Sequence, residues 1–248
     1  MDVVLDQRQL WVVDLGSIEY REALALQERV RAARQADALP DVLMLLEHPP
    51  VYTRGRRTGE GELPFGEDWY RARGIDIVDV RRGGRVTYHG PGQLVGYPIM
   101  RTTDVVEFVR TMERSIVAGL ADEGVATRLR TDEGPDYTGV WAGDRKIASI
   151  GVHVVKGVAA HGFAINVDND LTPFGWVVAC GLPDVAMTSV ATELDPAGAA
   201  AVSPGGPLFA SMRERMTQRF AEAHGRTVHV VDRDELEALA APLVASVA

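Results

Sequence analysis

Between Tyr137 and Val167, three strand-like runs (residues 139–141, 146–155 and 158–167) are separated only by Gly143-Asp144 and by Gly157. Breaks this short and glycine-rich suit hairpins, so the middle of the chain is expected to form a meander of neighbouring strands. That expectation constrains the fold more than any other feature. It calls for an α+β (α/β) class, with a mixed or mostly antiparallel central sheet flanked by helices.

The remaining segments fit around that sheet. Residues 11–15, 41–47, 75–80, 86–89 and 94–100 read as strands, the last two joined by the tight turn Gly90-Pro91-Gly92-Gln93. Tyr20, Leu24, Gln27 and Val30 lie at helical spacing over residues 20–34, with Ser17 available as a cap. Val105, Phe108, Val109, Met112, Ile116 and Leu120 form the apolar stripe of a second helix, for which Thr103 or Asp104 is the expected cap. Residues 196–207 read as a flexible loop. Residues 208–248 read as a helix near 208–223, a short strand 227–231 and a last helix from Asp234 capped by Asp232. With no internal repeat and no composition break, residues 1–248 are expected to form one catalytic domain.

A chain of 248 residues with 46% hydrophobic and 25% charged residues can bury a sizeable core without covalent staples. Its single cysteine excludes an intramolecular disulfide and a multi-thiolate zinc site. No apolar run is long enough to span a membrane, and Asp2 and Asp6 stand where a secretory signal carries basic residues, so a cytoplasmic location is expected. A net charge of −9 argues against nucleic-acid binding. Against that acidic background, Arg54, Arg56 and Arg57, and then Arg81, Arg82 and Arg85, form two short basic runs. If they meet in space, they suit an acidic or phosphate-bearing partner.

Few residues here carry chemistry. Cys180 sits in Val177-Val178-Ala179-Cys180-Gly181-Leu182-Pro183. Small apolar neighbours suit a buried, inert thiol. Gly181 and Pro183 instead suit a turn, with free backbone N–H groups near the sulfur. A thiol of ordinary pKa, ~8.5, is only a few per cent ionised at neutral pH, so a nearby cation decides whether it is a nucleophile. Lysine is scarce: the chain has only Lys146 and Lys156. Lys146, in a strand-like run followed by small residues, could point into a groove, and unlike arginine it can also act as a base. His89 and His161 each precede a glycine at a strand end, where each could line a pocket or satisfy a backbone carbonyl. No histidine spacing supports a metal, and no GxGxxG or GxxxxGK[ST] run supports a nucleotide.

The segment Leu46-Glu47-His48-Pro49-Pro50-Val51-Tyr52-Thr53 resembles the early motif of the octanoyl-acyl-carrier-protein:protein octanoyltransferases, the lipoyl(octanoyl) transferases of lipoate synthesis. Arg82-Gly83-Gly84-Arg85-Val86-Thr87-Tyr88-His89-Gly90-Pro91-Gly92-Gln93-Leu94, with Tyr97-Pro98, is similar to that family's signature. Gly139-Val140-Trp141, residues 146–151, residues 161–166 and Cys180-Gly181 follow in the family's order. The resemblance runs roughly from Leu10 to Leu194. It implies a fold similar to the biotin and lipoate protein ligases, with Cys180 as the acyl-thioester nucleophile and Lys146 as its activator. It also implies a substrate site lined by Arg82, Gly83, Gly84, Arg85, Val86, Thr87, Tyr88 and His89, by Ser149, Ile150 and Gly151, and by Gly162, Phe163 and Ala164. Octanoyl-acyl carrier protein would be the donor. Apo lipoyl domains of 2-oxoacid dehydrogenase E2 subunits and the glycine cleavage H protein would be the acceptors, with no cofactor and no metal. One departure is visible: Ala179 stands where the family usually has proline before the cysteine.

Two other readings differ in a testable way. An ATP-dependent lipoate or biotin ligase of the same fold would need ATP for transfer, and Thr53-Arg54-Gly55-Arg56-Arg57 superficially resembles a biotin ligase loop. A non-catalytic carrier-binding module would keep the pocket but form no acyl-enzyme.

Overall fold

The protein is described by a computed structural model, which covers residues 6, 8–178, 185–196 and 205–240. The expected meander is present. β7 (Gly139–Ala142), β8 (Arg145–Val155) and β9 (Val158–Asn166) pair antiparallel in succession. They continue into β6 (Gln93–Ile99), β2 (Asp41–Glu47), β1 (Gln9–Ser17) and β10 (Thr227–Val230) to complete a seven-stranded sheet. The last two pairings, β2 with β1 and β1 with β10, are parallel, which makes the sheet mixed.

Period-two alternation explains how the sheet is covered on both faces. On β2, Leu43 and Leu45 face one cluster and Val42, Met44 and Leu46 the other, and all five are buried. The first face is covered by α3 (Val105–Asp122) and α5 (Pro207–Ala223) through Phe108, Met112, Ile116, Met212, Met216 and Phe220. The second is covered by α1 (Tyr20–Gln35) and α6 (Arg233–Ala240). The Asp104 carboxylate caps α3 by accepting the Glu107 N–H at 3.0 Å, and Asp232 caps α6 through Glu235 N–H at 2.8 Å. Ser17 does not cap α1. It ends β1, and the residue before the helix is Glu19, whose side chain makes no capping bond.

A second, three-stranded sheet was not expected. β3 (Val51–Arg54) lies between β4 (Asp76–Asp79) and β5 (Thr87–His89), parallel to the first and antiparallel to the second. Tyr52, Ile77, Tyr88 and Phe174 form its own small core, together with Tyr70 from α2 (Glu67–Arg71). A short helix, α4 (Val190–Leu194), follows Ser189, whose hydroxyl caps it. Most of the expected loop at 196–207 lies outside the described residues.

Candidate active site

Where β7 stops pairing with β8 at Ser149, the edge of the main sheet is left to a loop. Gly83 N–H donates to Val152 O at 3.0 Å, laying the segment before β5 along β8. A cavity of about 500 Å³ opens between this loop, strands β8 and β9, the first turns of α3 and residues 131–138. That is the size of an ordinary small-ligand site. Ile150, Val152, Phe163 and Ala164 give it apolar walls, and Val105, Val106 and Val109 continue them to the mouth, where Val106 is 69% exposed.

Lys146 stands at one side of the cavity, 2% exposed, with its ammonium 5.3 Å from the centroid of the Trp141 ring. The neighbouring strand leaves room for it. A Cβ at Gly139 would lie 2.8 Å from Lys146 Cε and 2.4 Å from Ala148 O, and the φ of +132° there also favours glycine. Behind Gly139, the buried Glu113 accepts its N–H at 2.9 Å and pairs with Arg110 at 2.6 Å.

Histidines form another part of the wall. His89 Nδ1 lies 2.7 Å from Gln93 Oε1, while Gln93 Nε2 donates to Tyr88 O at 3.1 Å and Asn166 Oδ1 at 2.9 Å. Two carbonyl partners fix which end of the amide carries hydrogens, so Oε1 is the acceptor and the His89 proton sits on Nδ1. Burial holds the imidazole well below its usual pKa, helped by the nearby His48 and Arg82, so Nε2 keeps its lone pair. His48, beneath the cavity, donates from Nδ1 to Ile18 O at 2.7 Å and accepts from the Tyr97 hydroxyl at 2.8 Å. Burial lowers its pKa to about 4. His161 has the same fate at about 3, mainly through burial, and its backbone N–H is held by Gln27 Oε1 at 2.8 Å. The cavity therefore carries neutral imidazoles at ordinary pH.

The structure brings most of the expected substrate-site residues to one place. Arg82, Gly83, Gly84, Arg85, Thr87, His89, Ser149, Ile150, Gly151, Gly162, Phe163 and Ala164 line the cavity with Lys146. Val86 and Tyr88 do not. They alternate to the opposite face from Thr87 and His89 and join Tyr52 and Ile77 in the small core, away from the cavity where the sequence reading expected them. Arg82 is a buried strut as much as a wall: its guanidinium donates to Thr53 O at 2.7 Å, Thr53 Oγ1 at 2.6 Å and Gly83 O at 2.9 Å. Cys180 lies outside the described residues. The chain on either side of it is described, however. Val178 N–H donates to Glu62 O at 3.1 Å, and the Glu62 carboxylate holds Arg85 at 2.7 Å. On the other side, Lys146 N–H donates to Ala186 O at 2.9 Å, Thr188 N–H to Lys146 O at 3.0 Å, and Asn166 Nδ2 to Thr188 O at 3.0 Å.

Several wall residues escaped the sequence reading, among them Tyr20, Tyr97, Arg110 and Asp136. Val105 and Val109 were assigned to the helix stripe, and an apolar stripe does not say whether a core or a ligand covers it. Among the described residues no cluster of three histidine, cysteine or acidic side chains is arranged to hold a metal, and no helix is long and apolar enough to cross a membrane.

Residues 19–205 match the lipoyl protein ligase A/B catalytic domain. The chain is 37% identical over 227 residues to the octanoyltransferase of Caldicellulosiruptor bescii, covering 90% of this chain and 94% of that one. It is 46% identical over 187 residues to the octanoyltransferase of Acidothermus cellulolyticus, covering 72% and 80%. Its backbone is similar to a bi-partite lipoate protein ligase from Thermoplasma acidophilum, with a TM-score of 0.69 at 17% identity over 96% and 92% of the two chains.

Proposed function

The chain belongs to the lipoyl protein ligase A/B catalytic-domain family, as an acyltransferase of its octanoyltransferase group, and on that premise we propose that it transfers octanoyl through a thioester on Cys180. The donor in this reading is octanoyl-acyl carrier protein. The acceptors are the target lysines of apo lipoyl domains, in E2 subunits of 2-oxoacid dehydrogenases and in the glycine cleavage H protein. A lone thiol that must stay reduced suits a cytoplasmic reaction.

The observation that carries the proposal is the anchoring of both flanks of the Cys180 segment on the cavity. Cys180 is two positions along the chain, a reach of at most ~7 Å, from Val178, which is tied through Glu62 to Arg85. It is six positions before Ala186, which is bonded to Lys146 itself.

In the first step the Cys180 thiolate attacks the thioester carbonyl. A new S–C bond forms, the bond from the carbonyl carbon to the pantetheine sulfur breaks, and that sulfur leaves as a thiol with the proton of the Lys146 ammonium. In the second, the acceptor amine attacks the acyl-enzyme, an amide forms, its excess proton passes to the now neutral Lys146 and restores the ammonium, and the Cys180 thiolate is released. A thioester is already activated relative to an amide, so neither step needs ATP. The apolar wall of Ile150, Val152 and Phe163 holds the hydrocarbon, and the ammonium of Lys146 favours the thiolate.

Intact-protein mass after mixing with octanoyl-acyl carrier protein, without ATP, tests this. A hydroxylamine-labile gain of one octanoyl group in the wild type and none in Cys180→Ser is expected. An equal adduct in both, or transfer only with ATP, would remove the cysteine mechanism and favour the ligase reading.

A further inference from the structure

The two arginine runs meet. Arg56 N–H donates to Arg82 O at 3.1 Å and Arg57 N–H to Gly84 O at 3.0 Å, so the two segments adjoin, and Arg57, Arg82 and Arg85 line the cavity. Four of the six arginines in the two runs are committed elsewhere. Arg54 is held by Asp79 and Glu67, both at 2.6 Å, Arg57 by Asp136 at 2.9 Å and Arg85 by Glu62 at 2.7 Å. Arg82 is buried in its bonds to Thr53 and Gly83. Arg56 and Arg81 are exposed, and neither has an ion pair with any described residue.

Their charges converge on one spot. His153, on β8 next to the residue that bonds Gly83, has its pKa lowered by burial first and then by Arg31, Arg56 and Arg81. Of these three, Arg31 is paired with Glu28, whose charge acts on His153 in the opposite sense. A chain with net charge −9 thus keeps, beside a cavity, a positive patch that no described acidic side chain pairs, at the cost of local like-charge repulsion. The patch is continuous with the cavity rim, because Arg57 and Arg82, the chain neighbours of Arg56 and Arg81, both line it.

We propose that Arg56 and Arg81 form the docking surface for the protein that delivers the acyl group, an acidic carrier whose thioester hangs on a phosphodiester-linked arm. This rests on the donor assigned above. The match is one of charge and position: two exposed guanidiniums suit carboxylates or a phosphodiester, and the arm would enter the cavity at the rim they flank. Such a surface raises the encounter rate with an acidic partner and does nothing for a small neutral substrate.

The test compares two donors, octanoyl-carrier protein and the truncated, uncharged octanoyl-N-acetylcysteamine, in wild type and the double variant Arg56→Glu, Arg81→Glu. For the carrier, the variant should raise apparent KM by ~10-fold or more and flatten its dependence on salt. With the truncated thioester its rate should match the wild type, which also shows that the cavity is intact. An unchanged KM for the carrier would overturn the docking surface, as would an equal loss with both donors. So would an equal rise in KM from Arg8→Glu, a reversal of an exposed charge at the far edge of the sheet. A wild type that accepts neither thioester would instead sink the donor assignment itself.

Discussion

His89 Nδ1 and Gln93 Oε1 lie 2.7 Å apart across the Gly90-Pro91-Gly92 turn, and the other end of that amide is anchored to Tyr88 O and Asn166 Oδ1. The glutamine thereby dictates the imidazole tautomer and leaves an unprotonated Nε2 at the cavity wall. Gln93→Glu keeps the acceptor but adds a negative charge, which favours imidazolium. The variant's acyl-transfer rate should then fall off on the acid side, in a range where the wild type is flat. Gln93→Leu should cost about 2–3 kcal/mol in thermal or urea unfolding, since the His89 N–H and two acceptors lose their partner. Identical pH–rate profiles for wild type and Gln93→Glu would show that the tautomer does not matter to transfer.

Lys146 is almost wholly buried beside Trp141, and its backbone bonds Ala186 and Thr188. If its ammonium lowers the pKa of the Cys180 thiol, Lys146→Met should move the pH profile of iodoacetamide alkylation up toward the ordinary ~8.5. Acyl transfer should drop by ~10²-fold or more in the same variant. Lys146→Arg should not rescue transfer, because a guanidinium needs more room and does not give up its proton. Coincident alkylation profiles for wild type and Lys146→Met would remove the lysine from thiol activation.

What the sequence revealed and what it hid follow the same physical logic. The meander was legible because Gly143-Asp144 and Gly157 punctuate long apolar runs, and the α3 start because Asp104 precedes a clear 3.6-residue stripe. β3 was hidden because only four residues, Val51 to Arg54, carry it directly after two prolines, too few to show a period. Val86 and Tyr88 were grouped with their motif although strand alternation turns them away from Thr87 and His89. The wall at 131–138 is two short 3₁₀ turns around Gly134, which leave no periodic signal. That the arginine runs adjoin could not be read locally, since the contact is made by backbone bonds between segments about 26 residues apart.

The buried histidines make acid the weak side of this fold. His48 and His161 have folded pKa values of about 4 and about 3, below the ~6.5 of an unfolded histidine. The unfolded chain therefore binds more protons between those values, and stability must fall as pH drops through 6.5 toward 4. His48 alone accounts for about 3 kcal/mol of that loss by pH 4. Asp168 acts in the opposite direction: burial, with the Glu47 charge behind it, raises its pKa to about 6, so its protonation favours the folded state over much of the same window. Urea unfolding between pH 7 and 4 should show a net loss, with a visibly shallower slope in His48→Gln. An unchanged slope in that variant would mean that His48 does not titrate on unfolding in this range.

Gly162 tests whether close approach of β9 to β6 shapes the cavity. Its φ is not in the left-handed region, so any cost of a side chain is steric alone. A Cβ there would lie 2.2 Å from Gly96 O and 2.4 Å from Pro98 Cδ, on the central strand β6, where neither atom belongs to a flexible side chain. The strands would have to part, and Gly162, Phe163 and Ala164 all line the cavity. Gly162→Ala should therefore lose about 2 kcal/mol or more of stability and raise KM for the acyl donor. Gly175→Ala meets nothing within 4 Å and should be neutral on both counts. Equal stability and equal KM in the two variants would show that the sheet yields at Gly162 without disturbing the cavity.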